Sequence, residues 1–112
     1  MTKDQKQIEL EKIKQLLITK YKAQKVVLFG SHAWGKPDQD SDFDLLIIKD
    51  VDKPRPAREQ EIYQLLGKFM PERDMPIDVI VHTSKEAEER LSLGDPFVTE
   101  VLKRGKVLYE QP

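Results

Sequence analysis

Two aspartates, separated by a single residue, precede a strongly apolar segment of this 112-residue chain. Asp42 and Asp44 stand before the run Leu-Leu-Ile-Ile, a pattern that predicts a β-strand over residues 42–49. Because side chains alternate along a strand, both carboxylates are expected on one face. Asp78 lies in a second segment of this kind, IDVIVH, as a single acid followed by apolar residues. If the two strands lie side by side, three carboxylates converge.

A cluster of three carboxylates indicates a site for a divalent cation. Two unit charges about 4 Å apart repel by about 4 kcal/mol at an effective dielectric constant of 20. A fold keeps such a cluster if a cation neutralises it or if one carboxyl group stays protonated. Oxygen ligands without neighbouring His or Cys select Mg²⁺ or Mn²⁺. The alternative is a solvated turn, because residues 38–52 carry six Asp against one Lys.

A glycine–serine pair follows the β-branched, apolar residues 25–29, which predict another strand. Gly30 allows a close approach to the backbone, and Ser31 offers a hydroxyl group and an N–H group. Both suit the oxygens of a phosphate, especially where a helix begins. A structural turn is the alternative for the pair taken alone. Together with the carboxylates, it predicts metal-assisted chemistry at a nucleotide phosphate.

The rest of the chain alternates between helical and strand patterns. Apolar spacing predicts helices over residues 4–22 and 59–70, a strand over 77–82, and loops over 37–41 and 50–58. Thr83 and Glu86 predict a capping box, and Asp95 followed by proline predicts the start of a last helix that ends at Gly105, before a short strand over 106–109. The order predicts an α/β or α+β fold, a small mixed β-sheet flanked by helices, in one domain over residues 1–112.

Composition excludes several classes of protein. The chain has no cysteine, which excludes a disulfide scaffold, a thiol nucleophile and a Cys zinc site and is consistent with a reducing compartment. No apolar run approaches the roughly 20 residues of a membrane span, and the N-terminal residues lack an apolar signal region. A net charge of −1 disfavours direct nucleic-acid binding. A cytoplasmic protein without a membrane partner is expected.

The run GSHAWGKPDQDSDFDLLII, residues 30–48, resembles the signature of the polymerase-beta nucleotidyltransferase superfamily. The acid at Asp78 falls where that family has its third, so the resemblance spans residues 26–82. The ending GKVLYE is similar to that of the smallest members, the minimal nucleotidyltransferases. The resemblance implies a polymerase-beta-like fold. At Trp34 the chain departs from the family pattern, which often has an arginine there.

The resemblance also implies a two-metal mechanism with ATP as substrate. Asp42, Asp44 and Asp78 would be the catalytic residues and would hold two Mg²⁺ ions. Gly30 and Ser31 would bind the β- and γ-phosphates, and an acceptor hydroxyl would attack the α-phosphorus as pyrophosphate leaves.

Minimal nucleotidyltransferases resembling this chain are commonly paired with HEPN-domain ribonuclease toxins. The resemblance therefore implies an antitoxin that transfers AMP from ATP to a tyrosine of a HEPN toxin, in a hetero-oligomer. Two alternatives stay open: a small-molecule nucleotidyltransferase that works as a homodimer, and a non-catalytic partner-binding subunit. The presence of all three acids and of Gly30-Ser31 argues against the last of these.

Overall fold

The structure is a computed structural model and describes residues 2–35 and 42–112. Its helices and strands alternate along the chain. In chain order they are α1 (Lys3–Leu16), a π-helical turn (Leu17–Tyr21), β1 (Lys25–Phe29), α2 (Ser31–Trp34), β2 (Phe43–Ile48), α3 (Arg55–Phe69), β3 (Ile77–His82), α4 (Ser84–Ser92), α5 (Pro96–Arg104) and β4 (Lys106–Glu110).

The four strands form one mixed sheet in the order β3–β2–β1–β4. Strand β1 is antiparallel to both β2 and β4, whereas β2 and β3 are parallel. A parallel pair needs a crossover connection, and α3 supplies it between β2 and β3. The predicted α/β (α+β) architecture with a small mixed sheet is confirmed.

The two faces of the sheet are covered unequally. The first face packs against α1, the π-helical turn and α3, and its buried residues form the larger core cluster, including Ile13, Leu17, Val26, Leu28, Leu45, Ile47, Ile62, Leu66, Val79 and Val81. The second face packs against α4 and α5 in a smaller cluster that consists of Val27, Leu46, Ile48, Ala87 and Val101. Alternation places Asp44 and Asp78 on the second face, at the end of the sheet where coverage is thinner.

Local signals position most of these elements. The predicted strands over residues 25–29 and 77–82 are confirmed at both ends. Thr83 caps α4 by accepting a hydrogen bond from the backbone N–H of Glu86, and the Glu86 side chain accepts one from the N–H of Thr83. The side chain of Asp95 caps α5 by accepting hydrogen bonds from the backbone N–H groups of Phe97 and Val98, in the first turn of that helix.

The strand predicted over residues 42–49 is one residue shorter at each end, and the predicted start of one helix is wrong. Helix α3 begins at Arg55, inside the segment predicted as a loop over residues 50–58. Proline is tolerated in the first helical turn, where backbone N–H groups have no intrahelical acceptor, so Pro56 does not stop this helix. The predicted loop over residues 37–41 lies outside the described residues. None of the described helices is long and apolar enough to cross a membrane.

Candidate functional site

The pairing of β2 with β3 brings the predicted acids together. Asp44 lies directly opposite Asp78 in the parallel register. The backbone N–H of Phe43 donates to the carbonyl oxygen of Pro76 at 3.1 Å, which ties the beginnings of the two strands to each other. Asp42 immediately precedes β2, two residues before Asp44. The three acids therefore share one corner of the sheet, with Asp78 exposed to solvent and the other two half-buried.

Gly30 closes this corner from the other side. It follows β1, whose last residue, Phe29, lies opposite Asp44 in the antiparallel register. Its φ of 76° is in the region that favours glycine, and a Cβ atom there would collide with the carboxylate of Asp44. The backbone at Gly30 thus lies too close to this carboxylate for any residue with a side chain.

Helix α2 begins directly after this glycine. The carbonyl oxygen of Gly30 accepts hydrogen bonds from the N–H groups of Ala33 and Trp34, at 3.0 and 3.1 Å, and so forms the first turn. Ser31 is the first residue of α2 and is half-buried. The fold therefore places Gly30 and Ser31, the predicted phosphate-binding pair, next to Asp44.

The three acids interact with one another electrostatically. Burial raises the pKa of Asp44 above its ordinary value, and the charges of Asp78 and Asp42 raise it further, whereas His32 opposes the shift. Each of these carboxylates therefore makes it harder to ionise Asp44. A cation bound here would relieve that repulsion.

His32, the second residue of α2, also lies beside these acids. Its ring is half-buried, lies 4.7 Å from the ring of Phe43, and interacts with the charge of Asp44. The only signal in the sequence was its place directly after Gly30-Ser31, which does not specify the direction of a side chain.

The described part of the chain brings three carboxylates to one corner but does not group them as a closed set of metal ligands. Over residues 2–35 and 42–112, no three His, Cys, Asp or Glu side chains are already grouped as they would be around a metal ion. The donor set is nevertheless the one that a hard divalent cation prefers, since it consists of carboxylates on adjacent strand starts.

Aromatic side chains border the site on the second face. Phe29, which is paired with Asp44, packs edge-to-face on Phe97 with the ring centroids 5.2 Å apart, and its ring lies 6.4 Å from that of Trp34. The guanidinium group of Arg104 lies 5.0 Å from the centre of the Trp34 ring. Trp34 therefore packs as part of an aromatic group. At this position, where the family often has an arginine, the cation of Arg104 on α5 lies against the tryptophan ring.

A second group of ionisable residues lies at the far end of β3. Arg58 is buried, with 6% of its surface exposed, and donates to both carboxylate oxygens of Glu86, at 2.7 and 3.3 Å, and to the carbonyl oxygen of Val81 at 3.1 Å. These contacts, led by the hydrogen bond from Arg58, lower the pKa of Glu86 to about 2. Burial lowers the pKa of the neighbouring His82. The sequence analysis predicted Glu86 as part of a capping box but did not predict that Arg58, His82 and Glu86 lie together.

Comparison with known proteins supports the chemistry that the corner suggests. A family model described as a nucleotidyltransferase domain matches residues 10–109. A protein of Methanocaldococcus jannaschii, whose name provisionally assigns it protein adenylyltransferase activity, is 32% identical over 95 residues, which cover 83% of this chain and 87% of that protein.

Two solved structures share the fold. One is a toxin–antitoxin with AMP-PNP, with a TM-score of 0.56 at 22% identity. The other is a mutant of the toxin–antitoxin MntA–HpeT in which two aspartates are replaced by glutamates, with a TM-score of 0.55 at 22% identity. Each match covers 92% of this chain and 73% of the other. At this identity the two structures show a common fold and no more.

Proposed function

Because this chain belongs to the nucleotidyltransferase family, we propose that it is an antitoxin that transfers AMP from ATP to a tyrosine of a HEPN-domain ribonuclease toxin. The observation that carries the proposal is the register of β2 with its two neighbours, which places Asp44 beside Asp78 on β3 and against the backbone of Gly30 after β1. The relative named as a protein adenylyltransferase and the toxin–antitoxin structures of the same fold support the choice of acceptor. The proposal places the reaction in the cytoplasm, where ATP is available.

The acids are proposed to hold two Mg²⁺ ions. Asp42 and Asp44 would contribute to both sites, and Asp78 would complete the one nearest the acceptor. When bound, Mg²⁺ would neutralise charge on the triphosphate and lower the pKa of the acceptor hydroxyl. The raised pKa of Asp44 supports this assignment, because the repulsion that causes it is what a cation removes.

The residues of the chain have separate tasks in the proposed transfer. Gly30 and Ser31, where β1 gives way to α2, bind the β- and γ-phosphates. The exposed Asp78 faces the side from which an acceptor can approach. The phenolic oxygen forms a bond to the α-phosphorus, the bond from that phosphorus to the β-phosphate oxygen breaks, and pyrophosphate leaves. The phenolic proton passes to solvent.

Exposed apolar side chains on α5 and in the turn before it favour a protein as acceptor. Phe97, which contacts Phe29 beside the site, is 39% exposed, and Leu93, in the turn before α5, is 85% exposed. Apolar side chains that project into solvent in this way are typical of surfaces that bind another protein. A docked toxin would bring its tyrosine to within about 3–3.5 Å of the α-phosphorus, the separation that in-line attack requires.

The test is to incubate the protein with ATP, Mg²⁺ and a HEPN toxin encoded beside its gene, and to weigh the toxin by mass spectrometry. We expect the toxin to gain the mass of one or more AMP groups on a tyrosine. Asp42→Asn should abolish the gain, whereas Asp52→Asn, an exposed acid away from the site, should not. An unmodified toxin in a tight complex would instead indicate the non-catalytic subunit, and adenylylation of small acceptors alone would indicate the small-molecule enzyme.

A further inference from the structure

A tyrosine hydroxyl contacts the outer edge of β3 at the start of the strand, beside Asp78. Tyr63, on α3, donates to the carbonyl oxygen of Ile77 and accepts from the backbone N–H of Val79, both at 3.3 Å. These two backbone groups are the immediate neighbours of Asp78 in the chain. They point away from β2, since in a parallel pair one set of alternate residues bonds to the partner strand and the other set faces outwards.

Asp78 itself has little else to fix its position. It lies at the second position of an edge strand, its side chain is exposed, and Pro76, directly before the strand, has no N–H group to donate. On the inner side, the register with Asp44 holds the strand start. On the outer side, the hydroxyl of Tyr63 occupies the place that a further strand would take.

From this geometry we propose that Tyr63 is a positioning residue for Asp78. Its hydroxyl bridges the two peptide groups that flank Asp78 and so sets where the carboxylate is presented at the site. The inference rests on the proposed function only in that it takes Asp78 as a catalytic residue; the bridge to the backbone stands on its own distances. The tyrosine neither touches substrate nor transfers a proton in this proposal.

Two other side chains bond to the backbone in or just before β3, but neither contacts the peptide groups on both sides of Asp78. Arg58 donates to the carbonyl oxygen of Val81, farther along β3 and away from the acids. Glu9 accepts from the N–H groups of Asp74 and Met75, which fixes the chain before the strand begins. Within the described residues, the hydroxyl of Tyr63 is the side-chain group that bonds on both sides of Asp78.

Tyr63→Phe removes the hydroxyl and leaves the ring, and because Tyr63 is 39% exposed the change should disturb packing little. Hydrogen bonds of this length are weak, so we expect kcat for transfer to fall about 3- to 10-fold while the KM for ATP stays within about twofold. The matched control is Tyr109→Phe on β4, at the opposite edge of the sheet, which should leave kcat within about twofold.

A double-mutant cycle separates positioning from a general structural effect. If Tyr63 acts through Asp78, Tyr63→Phe should change the residual rate of Asp78→Asn by less than about twofold. An equal loss of rate in the Asp78→Asn background, or a rise in the KM for ATP without a change in kcat, would overturn the proposal.

A readout that needs no activity keeps this test independent of the proposed function. In native-state hydrogen exchange, the Val79 amide of Tyr63→Phe should exchange about tenfold faster than in the wild type, whereas the Leu46 amide in the centre of the sheet should not change. Unchanged exchange at Val79 would refute the bridge. Faster exchange at Val79 in a protein that transfers no AMP would refute the proposed function and leave the bridge intact.

Discussion

The two ends of β3 both carry ionisable side chains, but the charges are balanced at one end and unbalanced at the other. At the far end, Glu86 receives two hydrogen bonds from the buried Arg58, and its pKa falls to about 2. At the near end, burial and the charges of Asp78 and Asp42 raise the pKa of Asp44. The fold thus keeps the carboxylate of Glu86, beside the far end of β3, ionised. It makes the carboxylate of Asp44, beside the near end, costly to ionise.

This difference separates a structural charge from the one that we propose to be functional. The Arg58–Glu86 pair is complete within the chain and joins α3 to α4 across the end of the sheet. The acids at the near end repel one another, which lowers stability unless something else is bound. Perturbed acids of this second kind are typical of active sites. Substitutions at the two ends of β3 should therefore have opposite consequences.

The largest effect is expected for the double substitution Asp42→Asn with Asp44→Asn. Transfer of AMP should fall by about a thousandfold or more, since a bound metal contributes several kcal/mol to such reactions. The increase in melting temperature on addition of Mg²⁺ and ATP should vanish with it, because a ligand stabilises only the state that binds it.

The apo form of the same variant should melt at the wild-type temperature or above it, because repulsion at the near end of β3 is relieved. Differential scanning fluorimetry with and without Mg²⁺-ATP measures both quantities. A variant that unfolds would show that the two aspartates are structural and that the contrast between the ends is wrong.

The next effect belongs to the balanced end and falls on stability. Glu86→Gln leaves the buried Arg58 without its counter-charge and should lower the free energy of unfolding by about 2 kcal/mol, less than the ~3–5 kcal/mol of a fully buried pair because the Glu86 side chain is 38% exposed. The kcat for transfer should stay near the wild-type value. Urea denaturation gives the free energy, and Glu88→Gln, an exposed neighbour on α4, is the control.

Acid should lower the stability contributed by the far end of β3 and raise the stability contributed by the near end. The lowered pKa of Glu86 contributes stability that is present above its ordinary value of 4.5 and is lost as the pH falls towards 2. The lowered pKa of His82 adds a loss that begins below 6.5, where the unfolded chain takes up a proton that the folded one resists. The raised pKa of Asp44 acts in the other direction, since the folded state then binds its proton more tightly.

Urea titrations of apo protein between pH 7 and pH 3 test this reasoning. The difference in unfolding free energy between the wild type and Glu86→Gln should shrink as the pH falls below 4.5. Asp44→Asn should instead show a steeper decline in acid than the wild type. Parallel curves for all three proteins would contradict the assigned shifts.

The smallest effect is expected at Trp34. Because this side chain is half-buried among Phe29 and Arg104, Trp34→Ala should cost about 1 kcal/mol, well below the ~3–5 kcal/mol of a fully buried tryptophan. Nucleotide affinity should stay within about twofold. A thermal melt and a nucleotide titration on one preparation distinguish packing from base stacking, for which affinity would fall while the melting temperature stayed constant.

Local sequence signals predicted most of the secondary structure, because those signals act over a few residues. The β-branched runs, the capping box at Thr83 and the Asp95 cap each specify a boundary through neighbouring groups. The start of α3 was missed because Pro56 and the charged residues around it are also typical of a loop. Arg58, inside that segment, is buried against Glu86 of another helix and the carbonyl oxygen of Val81 on β3.

The sequence by itself determined that Asp42 and Asp44 lie close together, since only one residue separates them at the start of β2. It also placed a glycine, and no larger residue, directly after β1. Only the tertiary structure decided that Asp78 lies beside Asp44, that Gly30 presses against that carboxylate, and that Tyr63 braces the opposite edge. These contacts join residues far apart in the chain, and they depend on strand register and helix packing, which no local spacing specifies.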